Sequence, residues 1–128
     1  MTTYIDPPQA MAVVARLGLR VRDPGLLFSA LARPSTRLYG ADAYVSLELK
    51  AAALLTSLAR NHALFDGNKR LALVLTFTFL RLNGKRPTFT NEEAFALIMR
   101  AAQGQVPLED LACDIGTHIV NAETETGP

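Results

Sequence analysis

The chain has one cysteine and almost no net charge, and each shortage excludes a class of protein. Because Cys113 has no second thiol to pair with, an internal disulfide and a zinc site of several cysteines are excluded, which favours a reducing compartment such as the cytoplasm. Thirteen Lys and Arg residues against twelve Asp and Glu residues leave a formal charge of +1. Composition therefore gives no support to a nucleic-acid partner or to a membrane surface.

Long apolar runs are missing as well. The longest run, residues 71–80, would span about 15 Å as a helix, half of a ~30 Å hydrocarbon core, which predicts a buried core helix and not a membrane span. The N-terminus has neither the basic stretch nor the apolar segment of a secretory signal. With 49% apolar and 20% charged residues among 128, we expect one packed domain over residues 1–128.

What the sequence does contain is a series of helix signals: N-cap residues, apolar stripes at 3.6-residue spacing, and glycine or proline stops. The predicted helices lie near 7–17, from 23 to just before 34, over 46–61 and 68–83, from 90 onward and from about 107 onward. About six helices and almost no strand predict an all-α bundle. We place its axis at the fourth helix, which is apolar on nearly every side.

Finer expectations concern caps, faces and connections. The predicted N-caps are Asp6, Asp23, Ser46, and Thr90 in a capping box with Glu93. The predicted inward residues of the fifth helix are Phe95, Ile98, Met99 and Ala102, and the stripe of the sixth helix runs to Ile119. Residues 34–45 are predicted to form an ordered loop or small hairpin, residues 85–89 a brief extended piece, and residues 121–128 a frayed polar tail.

The junction between the third and fourth helices carries the chemistry. Within nine residues it has a histidine (His62), a carboxylate (Asp66), a glycine and an amide (Gly67, Asn68), and the cations Lys69 and Arg70. A helix N-terminus favours anions, glycine lets the backbone approach closely, and an amide and an arginine donate to phosphate oxygens. The carboxylate suits Mg²⁺, and histidine can take a proton from a hydroxyl near neutral pH.

The same residues also have a purely structural interpretation. His62 near a helix end can complement the helix dipole, Asp66 can be an N-cap, and Gly67, Asn68 and Lys69 are ordinary turn residues. Spacing alone does not decide between the two interpretations.

The segment Asn-His-Ala-Leu-Phe-Asp-Gly-Asn-Lys-Arg at residues 61–70 resembles the signature of the Fic/Doc family, histidine-x-phenylalanine-x-acid-glycine-asparagine-(glycine or lysine)-arginine. Lysine at the variable position, Lys69, resembles the pattern of the Doc branch. The likeness extends through residues 44–60 and 79–84. It implies the compact helical Fic/Doc bundle around a central buried helix, with a short flap that corresponds to residues 34–45.

The resemblance also implies residue roles. His62 is the implied general base, Asp66 the magnesium ligand, and Asn68 with the Gly67 backbone an anion hole. Lys69 and Arg70 are implied to contact the phosphates of ATP.

Residues 34–45, named the flap below, align the target in related enzymes by strand-like pairing. Arg37, Leu38 and Tyr39 are therefore the candidates for target contact. A solvated connector is the alternative interpretation of this loop.

The motif departs from the family pattern in two places. Leu64 stands where phenylalanine is usual, and Ala63 replaces a frequent proline. We expect Leu64 to supply the buried apolar anchor of the loop, with Phe65 beside it as a competitor for the inward position.

Charged and reactive residues outside the motif are interpreted as structural. Arg60 is expected to complement a helix dipole, with a contact to phosphate as the alternative. Arg16, Arg20 and Arg22 are expected to form a solvated basic face, and Cys113 and His118 to be packing or surface residues.

The resemblance predicts a cytoplasmic Doc-like toxin that moves the γ-phosphoryl of ATP to a protein hydroxyl, a threonine of a translation elongation factor, and so arrests translation. A partner antitoxin would block it by laying a helical segment in an apolar groove. Two alternatives stay open: transfer of AMP to the hydroxyl, as in the Fic branch, and a catalytically weak module that only binds its antitoxin.

Overall fold

The computed structural model describes residues 1–122, and these residues form a helical bundle with two small β-sheets. The helices are α1 (Pro7–Arg16), α2 (Pro24–Ala32), α3 (Leu47–Arg60), α4 (Asn68–Leu82), α5 (Asn91–Gln103) and α6 (Leu108–Thr117). A 3₁₀ turn, Arg33–Ser35, follows α2. The strands are β1 (Arg37–Leu38), β2 (Ala41–Asp42), β3 (Lys85–Pro87) and β4 (Ile119–Asn121). The predicted all-α class is confirmed.

Local capping explains where four of the helices begin. Asp6 accepts a hydrogen bond from the Gln9 amide at 2.8 Å, and Thr90 accepts one from the Glu93 amide at 3.1 Å, each within a capping box. Asp23 and Ser46 cap α2 and α3 in the same way, each through the backbone amide three residues on. All four predicted N-caps are confirmed, because each depends only on residues three positions apart.

The centre of the bundle is α3 and not α4, so the predicted axis is wrong. Nine of the fourteen residues of α3 are buried, including Lys50 and Ser57, against six of fifteen in α4. Three consecutive alanines in α3, residues 51–53, are fully buried. Their small side chains let neighbouring helices approach α3 closely from several sides.

The inward face of α5 also differs from the prediction. Phe95 is 64% exposed, whereas Leu97, Ile98 and Ala101 are buried. Met99 and Ala102 lie between the two extremes. This helix has more apolar residues than one face can hold, and its contacts with α3 and α6 decide which of them are covered.

The strands settle three further expectations. β1 and β2 pair antiparallel, so residues 34–45 contain the small hairpin that was one of the two predicted options. Ile119 and Asn121 belong to β4, which pairs antiparallel with β3, so their assignments to the α6 stripe and to a frayed tail are wrong. The α6 helix ends at Thr117, and the residues that follow pair with β3 instead of continuing the helix. The rest of the predicted tail, 123–128, lies outside the described residues.

Within residues 1–122, no helix is both long and apolar enough to cross a membrane.

Candidate functional site

The loop that joins α3 to α4 lines a cleft of about 220 Å³ at the N-terminus of α4, which we call the α4 cleft. Its lining residues are Ala59, His62, Phe65, Asp66, Gly67, Asn68, Lys69 and Arg70. The structure thus brings every predicted catalytic and nucleotide-binding residue to one cleft, which follows from their closeness in sequence.

The N-terminus of α4 is open towards this cleft. Gly67 occupies the N-cap position with φ +83°, and no side chain caps the helix there. The first turn has no acidic residue, and the side chains of Lys69 and Arg70 are exposed. Free N–H groups, the positive end of the helix dipole and two cations make the cleft a site for an anion such as a phosphate group.

Gly67 is required here by both conformation and space. A β-carbon on this residue would lie 2.6 Å from Leu19 Cδ2, on the segment that joins α1 to α2. The loop therefore packs directly against that segment, and the positive φ turns the chain into α4.

Asp66 lies at the mouth of the cleft with one carboxylate oxygen engaged. Its Oδ1 accepts a hydrogen bond from the Gly67 amide at 2.8 Å, and no described residue donates a hydrogen bond to the second oxygen. No group of three or more His, Cys, Asp and Glu side chains within residues 1–122 could hold a metal ion. A metal at Asp66 would therefore take most of its ligands from a bound molecule, as Mg²⁺ does with phosphates.

Asn68 holds the loop together. Its Oδ1 accepts from the Leu64 amide at 3.0 Å, and its Nδ2 donates to the Leu64 carbonyl at 3.2 Å. One Nδ2 hydrogen remains for a ligand, while the Gly67 amide already donates to Asp66. The predicted anion hole is thus reduced to that hydrogen and the helix end.

His62 has a left-handed backbone, φ +53°, and an exposed side chain that makes no hydrogen bond to a described residue. Its carbonyl accepts from the Arg22 guanidinium, with Nε at 3.1 Å. A non-glycine residue in this conformation persists only when its surroundings hold it, and such residues cluster at functional sites. The imidazole is free to meet a ligand in the cleft.

The segment after α1 supports the loop along its whole length. The Ala63 carbonyl accepts from the amides of Arg22 (2.7 Å) and Asp23 (2.9 Å), and the Phe65 amide donates to the Arg20 carbonyl at 3.1 Å. Val21 and Leu64 form an antiparallel bridge. Arg16, Arg20 and Arg22 are exposed, as expected for a solvated face. Arg20 and Arg22 also stabilise the loop, and no spacing in the sequence signals this long-range contact.

Leu64 is the apolar anchor of the loop, as expected. It is 2% exposed, and Phe65, the competitor, is 64% exposed. The Arg20 guanidinium lies over the Phe65 ring, 5.5 Å from the centroid. Leucine therefore fills the inward position, and the aromatic ring faces solvent at the cleft.

The flap is tied to α3 by a buried cation. Lys50 is 2% exposed, and its Nζ donates to the Tyr44 carbonyl at 2.6 Å and pairs with Asp42 at 3.2 Å. Among the candidates for target contact, Arg37 is engaged with Asp42 at 2.9 Å, while Leu38 and Tyr39 are exposed. The sequence analysis did not single out Lys50, although a lysine within an alanine-rich helix is a signal for a buried cation.

Three residues interpreted as structural lie outside the α4 cleft. The Arg60 side chain lies against Gly104 at the end of α5, and Cys113 is exposed. His118 stacks on Phe89 with a centroid separation of 4.5 Å. The Asp114 carbonyl, 2.8 Å from Nδ1, holds the pKa of His118 above its ordinary value, and the Glu93 carboxylate adds to this effect.

Comparison with known proteins agrees with this geometry. The profile of the Fic/DOC family matches residues 5–80, more than half of the chain, so the chain belongs to the Fic/DOC family. Over 129 aligned residues it is 43% identical to Toxin Doc of Mycolicibacterium smegmatis (strain ATCC 700084 / mc(2)155), with 97% of this chain and 99% of that relative covered. The resemblance found in residues 61–70 is confirmed.

Proposed function

We propose that this protein is a Doc-like toxin that transfers the γ-phosphoryl group of ATP to a hydroxyl of a target protein. The observation that carries the proposal is the α4 cleft, where an uncapped helix N-terminus and two exposed cations lie beside a free imidazole. The near full-length similarity to Toxin Doc supports the toxin role.

Each residue of the cleft has a part in binding or proton transfer. The first turn of α4, Lys69 and Arg70 bind the phosphates. Asp66, through the oxygen not engaged by Gly67, would hold Mg²⁺ together with phosphate oxygens. A bound Mg²⁺ neutralises charge that develops on the phosphates.

The transfer needs a base at the attacking oxygen. His62 takes the proton of the hydroxyl as the new O–P bond forms, and the bond between the γ-phosphorus and the bridging oxygen breaks to release ADP. Positioning and charge stabilisation supply most of the rate in such reactions. Asn68 positions the loop through its two bonds to the Leu64 backbone and leaves the proton transfer to His62.

Partners and location follow from the toxin role. The target is a threonine of elongation factor Tu, and its modification arrests translation in the cytoplasm. An antitoxin blocks the protein by placing a helical segment in an apolar groove. The hairpin tip, with Leu38 and Tyr39 exposed, contacts the target.

The test uses two labels in parallel. Purified protein, Mg²⁺ and bacterial lysate are incubated with ATP labelled at the γ-phosphate or at the α-phosphate, and labelled protein bands are compared. Label from the γ-phosphate alone supports the proposal and gives the mass of the target. Label from the α-phosphate means AMP transfer, and label from neither in folded protein points to another nucleotide donor or to a binding module.

The matched control is His62→Ala. Its side chain is exposed and bonds to no described residue, so its removal should leave the free energy of unfolding unchanged while labelling and growth arrest are abolished. Undiminished labelling by the folded variant would remove the role of general base.

A further inference from the structure

Phe65 is an aromatic side chain left exposed at the rim of the α4 cleft. It is 64% exposed, and it also lines a second hollow of about 290 Å³ formed with Gly18, Leu19, Arg20 and Asp66. The ring therefore stands between the two hollows and borders both.

The backbone that carries the ring is fixed on both sides, and the ring itself contacts Arg20. Its own amide donates to the Arg20 carbonyl at 3.1 Å, and the residue before it is buried and bonded at both backbone groups by Asn68. The Arg20 guanidinium lies over the ring and lines the second hollow but not the α4 cleft. The side of the ring towards the α4 cleft is therefore left uncovered, and little ordering is needed before a flat group can stack there.

The size of the α4 cleft suggests what that group is. At about 220 Å³ it lies below the roughly 300–1,000 Å³ usual for ligand pockets. A nucleoside triphosphate whose phosphates bind at the N-terminus of α4 must therefore extend past the rim, where Phe65 stands.

We propose that Phe65, held by Arg20, is the stacking platform for the base of the bound nucleotide. This inference rests on the proposed function only in taking a nucleotide as the ligand of the cleft. An aromatic face stacks any base, and the Arg20 guanidinium over the ring supports it from the side of the second hollow. The platform contributes affinity and discriminates weakly between bases.

The first experiment exploits the absence of tryptophan from the chain. Phe65→Trp introduces a single indole at the platform, and Phe95→Trp introduces one at an equally exposed position on α5. ATP should quench the fluorescence of Phe65→Trp and inorganic tripolyphosphate should not, while Phe95→Trp responds to neither. Quenching of Phe65→Trp by both ligands alike, or by neither, overturns the platform.

The second experiment separates the base from the phosphates. Phe65→Ala should raise the Kd and KM for ATP about tenfold with kcat unchanged, and leave the Kd for tripolyphosphate and the KM for the protein target unchanged. Phe95→Ala is the matched control. The inference is overturned if the KM for ATP is unchanged or if only the KM for the target rises. It is also overturned if the affinities for ATP and tripolyphosphate fall equally.

The two proposals fail differently. If phosphoryl transfer occurs and Phe65→Ala leaves the KM for ATP unchanged, the platform is refuted and the proposed function stays intact. Selective quenching of Phe65→Trp by ATP without γ-phosphoryl transfer supports the platform and refutes the proposed function.

Discussion

Gly67→Ala should destabilise the protein by more than its backbone conformation alone explains. Gly67 has φ +83°, a region that costs an L-residue about 1–2 kcal/mol. Alanine also lowers the entropy of the unfolded chain, which offsets about 0.4–1 kcal/mol of that cost. The conformational part of the cost is therefore about 1 kcal/mol.

Steric overlap adds a second part to the cost of Gly67→Ala. The new methyl carbon would lie 2.6 Å from Leu19 Cδ2 and 3.2 Å from Cδ1, and Leu19 packs against the core. Overpacking of this kind costs about 1–3 kcal/mol. The expected loss in the free energy of unfolding is thus about 2–4 kcal/mol.

Gly18→Ala is the matched control for the assay. Gly18 has nearly the same backbone, φ +70°, but no heavy atom lies within 4 Å of the position that a β-carbon would take. Urea denaturation followed by circular dichroism should give a larger loss for Gly67→Ala than for Gly18→Ala, and Leu19→Ala should recover part of the difference. Equal losses for the two glycine variants would refute the clash with Leu19.

Two further predictions concern regions outside the cleft. Because the pKa of His118 is raised in the folded protein, its protonation stabilises the fold fully below about pH 6.5, and this effect is lost as pH rises through the raised pKa. The difference in the free energy of unfolding between wild type and His118→Gln should therefore shrink from acidic to alkaline pH in urea titrations. A difference that grows with pH would contradict the contacts with Asp114 and Glu93. Lys50→Met should leave overall stability nearly unchanged but speed amide hydrogen exchange in the flap, because the ties to Tyr44 and Asp42 are lost. Unchanged exchange would show that the flap is held by other contacts.

Most of the helical framework could be predicted because its signals are local. Asp6, Asp23, Ser46 and Thr90 each cap a helix through an amide three residues away, and such signals need no knowledge of the fold. The inward face of α5 could not be predicted, since Phe95 and Leu97 are equally apolar and only the neighbouring helices decide which is covered.

The candidate site, too, could be predicted from the sequence only in part. The residues of the motif meet in one cleft because they are adjacent in sequence at a helix start. The support from Arg20 and Arg22 could not be predicted, since about forty residues separate them from the loop they hold. A sequence pattern of fixed spacing carries no information about such contacts.

The bridge between Val21 and Leu64 makes the length of the connection between α1 and α2 a determinant of the chemistry. Successive side chains of an extended segment point to opposite sides, so a slip of one residue in the segment after α1 would exchange the sides on which Arg20 and Val21 lie. An inserted or deleted residue in 17–23 would thus remove the Arg20 guanidinium from the Phe65 ring without altering a residue of the motif.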